Sequence, residues 1–266
     1  MTAIAAIGNL TRDVVAGADP RPGGAVFYAA KALARLGADA HVSAACAPGD
    51  RAELVPPLES FALPVTWYES AGTTAYSFHY EGDRRIMRQD AVGDAWSPAQ
   101  SLEAAGDAPW VHVCALVRTD FPPKTLSALA DGRRLLVDAQ GLVRRPDLGD
   151  LRTDGEIGDV LRHVTILKLN DEEAETLVGS ADPERLRALE VPEVLLTLGS
   201  KGSYVVTQTL VEHVPTRPVA DKGAVDPTGS GDTFSATYLV RRTEGAEPVE
   251  AARAAADAVA AFLAAR

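Results

Sequence analysis

Between residues 110 and 198 the sequence alternates short apolar runs with stretches of helical character. Runs at 110–117, 134–138, 164–169 and 194–198 suit buried strands, and 122–130, 171–178 and 182–189 suit helices. Strands separated by helices cannot close as hairpins, so each crossover brings the next strand back parallel to the last. An α/β chain is expected, with a mostly parallel central sheet and helices on both faces. Such a sheet collects ligands outside the carboxyl ends of its strands.

The first half fits this plan with one interruption. Residues 3–7 read as a strand closed by Gly8-Asn9, and 11–15 as a short extended piece. A loop ending in Gly23-Gly24 opens a helix with Val26, Phe27, Ala30, Leu33, Ala34 and Leu36 on a wide apolar face, and Gly37 ends it. A strand follows at 40–46, then a helix at 50–61 that Pro56-Pro57 must interrupt or shorten. From 65 to 88 the pattern changes. Thr74, Tyr76, Phe78 and Tyr80 alternate with Ala75, Ser77 and His79, the period of a half-buried strand. Gly82-Asp83 is a hairpin signal, and 84–88 returns. An edge hairpin and a flap over a pocket both fit this insert. Near the end, 203–207 and 210–214 read as a hairpin. In the last helix, at 248–265, Val249, Ala252, Ala256, Val259 and Leu263 form a packing stripe.

Bulk properties narrow the function. A chain of 266 residues can be one large α/β domain or two small ones, and it buries about three quarters of its unfolded surface, so it needs no staples. Cys46 and Cys114 are far apart, each in an apolar run, and read as buried reduced thiols. A net charge of −11 argues against nucleic acid as partner, while leaving room for a nucleotide held by local dipoles. No apolar run approaches the roughly 20 residues of a membrane span, and the first residues lack the features of a signal peptide. A soluble, cytoplasmic protein is expected. Five histidines share no spacing, and none is assigned to catalysis or metal.

The chemistry concentrates in Ala224-Val225-Asp226-Pro227-Thr228-Gly229-Ser230-Gly231-Asp232-Thr233-Phe234, where a loop becomes a helix. Gly229 and Gly231 let backbone N–H groups face a ligand at the positive end of that helix, a ready anion site. Asp232 is an odd neighbour for a phosphate unless it removes a proton from the phosphate's acceptor. An ordinary turn with an acid in the first helical turn accounts for the same residues.

The stretch resembles the signature of the ribokinase-like (PfkB) family of carbohydrate kinases, keeping both glycines and the final acid. The run from Gly23-Gly24 through Tyr28 to Gly37 resembles the family's N-terminal signature, with Tyr28 where many members carry Asn. Lys168-Leu169-Asn170-Asp171-Glu172-Glu173 matches its Asn-x-x-Glu motif, and is also a good capping box. Thr197-Leu198-Gly199-Ser200-Lys201-Gly202 resembles its Thr-x-Gly-x-x-Gly segment and is no Walker A loop.

The resemblance implies a ribokinase-like three-layer fold over 1–266, with a small β lid from about 10–20 and 64–92. It implies an ATP- and Mg2+-dependent kinase, with K+ activation as a family trait. Asp232 would be the base, with Gly229, Ser230 and Gly231 forming the anion hole. Asp13, Asn9, Gly23, Gly24 and Tyr28 would hold the acceptor. Thr197, Gly199, Gly202 and Thr228 would line the nucleotide site, while Asn170 and Glu173 would serve the metal through water. The acceptor implied is a sugar or cyclitol, with myo-inositol favoured because an aromatic can replace the Asn in inositol-kinase-like members. A nucleoside kinase and a catalytically silent regulator are the alternatives. A homodimer through the lid is the implied assembly. A dinucleotide oxidoreductase is disfavoured, since Gly8-Asn9-Leu10 makes no Gly-x-Gly-x-x-Gly turn.

Overall fold

The protein is described here by a computed structural model covering residues 3–15, 19–81, 84–217 and 227–265. The first half contains β1 (Ile4–Asn9), β2 (Thr11–Val15), β3 (Arg21–Gly23), α1 (Ala25–Arg35), β4 (Ala40–Cys46), α2 (Arg51–Glu59), β5 (Val65–Glu69), β6 (Thr74–Glu81) and β7 (Arg84–Ala91). Then come α3 (Pro98–Ala105), β8 (Trp110–Cys114), α4 (Pro123–Ala130), β9 (Arg134–Asp138), α5 (Gln140–Val143), β10 (Gly149–Asp150), β11 (Ile166–Asn170) and α6 (Asp171–Val178). The chain closes with β12 (Glu193–Thr197), β13 (Ser203–Val206), β14 (Val211–Val214), α7 (Ser230–Thr243) and α8 (Pro248–Ala264).

The central sheet has the order β14-β13-β12-β11-β9-β8-β1-β4-β5. Pairing is parallel from β5 through β12, and the β12–β13–β14 edge is antiparallel. Both faces are covered, which is why β1 and β8 are buried at every position and read as continuous apolar runs. Alternation sorts their side chains. Ile4 and Ala6 pack with α1, α2, α7 and α8, whereas Ala5 and Ile7 pack with α3, α4 and α6. The result is a three-layer α/β structure.

After β1 the chain builds β4 and β5 on one side, then crosses to β8 on the other. The topological switch therefore lies between β1 and β8, and a crevice opens at their carboxyl ends. A second sheet, ordered β10-β7-β6-β2-β3, leaves the end of β1 at Thr11.

Some elements differ from expectation. The stretch 64–92 is shared, because β5 pairs with β4 in the central sheet and only β6 and β7 join the second one, which also takes in β10. Helix α2 runs through both prolines. The carbonyls they leave without partners belong to exposed Ala52 and Glu53, where water can serve, while Leu54, Val55 and Leu58 anchor the buried face. The 182–189 helix is a 3-10 segment, Pro183–Leu189, with only Leu186 buried. The strand from Trp110 stops at Cys114, after which Asp120 accepts from the N–H groups of Leu116 and Val117 and turns the chain into a loop. The Gly82-Asp83 turn and residues 224–226 of the glycine-rich stretch lie outside the described residues.

Candidate active site

At the switch point both sheets and α7 enclose a cavity of about 330 Å3. Thr11, Asp13, Gly24 and Tyr28 reach it from β2 and α1, and Tyr76, Phe78 and Met87 from the second sheet. Gln140 and Arg144 come from α5 and the residue after it, and Lys168, Asn170 and Glu173 from the β11–α6 junction. Thr228, Gly229, Gly231 and Asp232 complete the wall.

Asp13 is buried, with its Oδ1 accepting from Thr11 Oγ1 at 2.7 Å. Gly23 leaves room for it: a Cβ there would lie 2.3 Å from Asp13 Oδ2. Gly23 therefore acts by vacancy behind the carboxylate, and Gly24, the N-cap of α1 with φ 95°, is the glycine that faces the cavity. Asn9 does not belong to the cavity wall. Its Oδ1 accepts from Trp96 Nε1 at 2.9 Å and its Nδ2 donates to the Asp94 carbonyl at 3.2 Å, so both ends of the amide serve the core. Across the cavity, Arg144 makes no salt bridge within the described residues. Its neighbour Tyr76 has a hydroxyl pushed up to about 12, chiefly by burial.

Helix α7 starts against this pocket. Gly229 is its N-cap in the left-handed region, φ 87°, and a Cβ there would meet the Tyr28 ring at 2.4 Å. Tyr28 thus packs directly on the turn that opens α7. Ser230 does not offer its backbone N–H, which donates to the Pro227 carbonyl at 3.0 Å, as does its hydroxyl at 2.5 Å. Thr233 N–H donates to the Gly229 carbonyl at 2.9 Å. Gly229, Gly231 and Asp232 have no backbone acceptor among the described residues, so their N–H groups are the donors available at the positive end of α7.

Beneath that helix start lies a group of charges that the sequence reading passed over. Lys168 Nζ is 2.9 Å from Asp138 Oδ1, and both side chains are nine-tenths buried or more. His112 Nε2 stands 3.4 Å from Asp138 Oδ2, and Ser235 Oγ donates to the same oxygen at 3.1 Å. Burial opposes the Asp138 carboxylate, but Lys168 and His112 outweigh it and hold the group down at about 2. Burial likewise opposes the Lys168 charge, and Asp138, Glu173 and Asp232 outweigh it, so the ammonium stays protonated. Removing one partner of such a buried pair costs about 3–5 kcal/mol. The signal was present: a lysine inside a strand that must be buried needs an anion.

Asp232 is half-buried where α7 meets the cavity. Its carboxyl is pushed up to about 7, first by desolvation and then by Asp138, against the pull of Lys168, His112 and Arg144. A carboxyl tuned near neutrality beside free helix N–H groups suits a general base working next to an anion.

Asn170 and Glu173 form the capping box: Asn170 Oδ1 accepts from Glu173 N–H at 2.8 Å, and Glu173 Oε2 accepts from Asn170 N–H at 2.9 Å. The box engages one oxygen of Glu173, a residue of the cavity wall, and a carboxylate there fits a hydrated Mg2+. Thr197, Pro227 and Gly231 also border a second cleft of about 610 Å3. Gly199, Gly202 and Ser230 line it, with Phe234, Ala256, Val259, Ala260 and Leu263 as an apolar wall. The stripe on α8 read as packing therefore divides: Ala252 is buried in the core, while Val259 and Leu263 face the cleft.

A three-layer fold, a pocket at the switch point and helix N–H donors beside a raised carboxyl suit a small-molecule phosphotransferase. The family profile of the pfkB carbohydrate kinases matches residues 10–266, and the chain belongs to that family. It is 28% identical to the ribokinase of Bacillus subtilis strain 168 over 279 residues, covering 95% of this chain and 89% of that one. It is 29% identical over 280 residues to an ATP-dependent ribose-1-phosphate kinase of Halopiger xanaduensis, covering 92% and 87%. Among solved structures, a pyrophosphate-dependent kinase of the ribokinase family, complexed with a pyrophosphate analog and myo-inositol, superposes with a TM-score of 0.84. It is 25% identical, covering 98% of this chain and 94% of that one.

Proposed function

We propose that the chain transfers a phosphoryl group from ATP to a hydroxyl of a sugar or cyclitol, with myo-inositol the favoured acceptor. The observation that carries this reading is the pairing of opposite hydrogen-bonding capacities around one small cavity. The Asp13 carboxylate can only accept, the Arg144 guanidinium can only donate, and Gln140 does both. Hydroxyls distributed around a ring satisfy all three, while the rings of Tyr28, Tyr76 and Phe78 suit its C–H faces. A nucleoside would need a longer space for its base, and a silent regulator would have no use for a carboxyl held near 7.

In this reading Asp232 takes the hydroxyl proton as the acceptor oxygen attacks the terminal phosphorus of the donor. The N–H groups of Gly229, Gly231 and Asp232 receive the charge gathering on the transferred group. Asn170 and Glu173 would hold Mg2+, which supplies charge neutralisation when bound. The second sheet serves as a lid that excludes water from the cavity.

ATP is supported by the apolar cleft beside Gly231, because a flat base has a use for Phe234, Val259 and Leu263. Pyrophosphate is the second reading, favoured by the likeness to the pyrophosphate-dependent kinase. Mg2+ with each donor, tested against myo-inositol, ribose, fructose and nucleosides and read by phosphorus NMR for a new phosphomonoester, discriminates. ATP with myo-inositol is the expected pair. Turnover with nucleosides alone would overturn the acceptor, and turnover with pyrophosphate alone would overturn the donor.

A further inference from the structure

Lys168 enters none of the roles above, yet its ammonium lies against the start of α7. Its position follows from the fold. β11 carries it at the centre of a buried strand, between Leu167 and Leu169, and the side chain emerges under Gly231. A Cβ on Gly231 would sit 2.8 Å from Lys168 Nζ, so the ammonium lies directly against the helix start and within the cavity wall. An ammonium has three donors, and Asp138 Oδ1 is the one carboxylate oxygen within ion-pair distance of this nitrogen among the described residues. The side chain is 10% exposed and lines the cavity, so its remaining donors can serve an anion bound there.

We propose that Lys168 is a catalytic residue of the anion hole: its ammonium, anchored by Asp138, contacts the phosphoryl group in transit alongside the Gly231 N–H. The inference rests on the phosphotransfer reading. The bond that forms joins the acceptor oxygen to phosphorus, and the bond that breaks joins phosphorus to the bridging oxygen of the donor. The hydroxyl proton goes to Asp232, the donor remnant leaves with the bond electrons, and Lys168 gives up no proton. Asp138 then has a defined part as a positioning residue. It fixes the ammonium under the helix so that no rearrangement is needed as charge moves onto the transferred group. Gly231 is glycine for a related reason, since any side chain there would push the ammonium away.

The opposing account is that Lys168 only neutralises Asp138 inside the sheet. Lys168→Met, Asp138→Asn and the Lys168→Met/Asp138→Asn double variant separate the two. The double variant removes one buried charge of each sign, so it tests the inference even where a single variant fails to fold. Two quantities are measured on each folded protein: the affinity for inorganic pyrophosphate with Mg2+ by calorimetry, and kcat with the best donor and acceptor. Removal of one donor from such a site lowers kcat by roughly 10²–10³-fold. A loss of that size is expected in the double variant, with pyrophosphate affinity weakened roughly tenfold or more, about 1.4 kcal/mol. A double variant that binds pyrophosphate and turns over like the wild type would overturn the proposal, as would a wild type that binds no pyrophosphate at all. Failure of the phosphotransfer reading looks different: wild-type protein would form no phosphomonoester with any acceptor, while the binding comparison would still report on Lys168.

Discussion

Gly229 and Tyr28 constrain one another at the centre of the site. The N-cap of α7 needs φ 87°, which a side chain adopts only at a cost of about 1–2 kcal/mol, and the Tyr28 ring occupies the place a Cβ would take. Tyr28 therefore has a structural reason to be aromatic that is independent of the acceptor. Gly229→Ala is expected to lose at least that much stability in denaturant melts and most of its activity. Because the clash disappears with the ring, Tyr28→Ala/Gly229→Ala should lose less stability than the sum of the Tyr28→Ala and Gly229→Ala losses. A double loss equal to that sum would show that the ring and the turn are uncoupled. At the same scale, the raised carboxyl of Asp232 gives the pH dependence a sign. A base with its pKa near 7 is protonated and idle below that value, so kcat/KM should climb with pH and level off above about 7.

The β11–α6 junction joins a helix cap to the cavity wall. Its capping box holds the first turn of α6 and at the same time aims Glu173 at the cavity. The two duties can be separated. Asn170→Ala removes the cap and should cost about 0.5–2 kcal/mol in thermal or urea unfolding. Glu173→Gln keeps a side chain able to cap but loses the charge. Its melting temperature should stay close to that of the wild type while the Mg2+ concentration for half-maximal rate rises several-fold. A stable Glu173→Gln variant with unchanged Mg2+ dependence would remove Glu173 from the metal network.

Across the whole molecule, the alternation of strand and helix after residue 110 made the parallel sheet legible, because buried parallel strands must be short and apolar on both faces. The Asn-x-x-Glu spacing was legible as a cap for equally local reasons, and the glycines of the α7 turn stood out because few other residues can adopt that backbone. What escaped the sequence depends on contacts distant along the chain. Asn9 stands at the end of a strand, where ligands are bound, but Trp96 and Asp94 arrive from 85 or more residues away to engage its amide. Lys168, Asp138 and His112 sit on three strands that become neighbours only when the sheet forms. Helix α3 carried a readable signal in Ser97-Pro98, with Ser97 Oγ accepting from Gln100 N–H. The cleft between α7, α8 and the β12–β13 turn is also a product of assembly, and it bears on donor choice. Ala260→Trp should fill it, raising KM for ATP roughly tenfold or more while leaving pyrophosphate use unchanged, if the base binds there.

The proposed mechanism turns on Asp232 as a base held against the anion it helps to transfer. Asp232→Asn tests it with almost no change of shape. With the acceptor and donor identified, its kcat should fall by roughly 10²–10⁴-fold, while calorimetric affinity for the donor stays within a few-fold of the wild type. A near-normal kcat in the asparagine variant would remove Asp232 from the proton transfer.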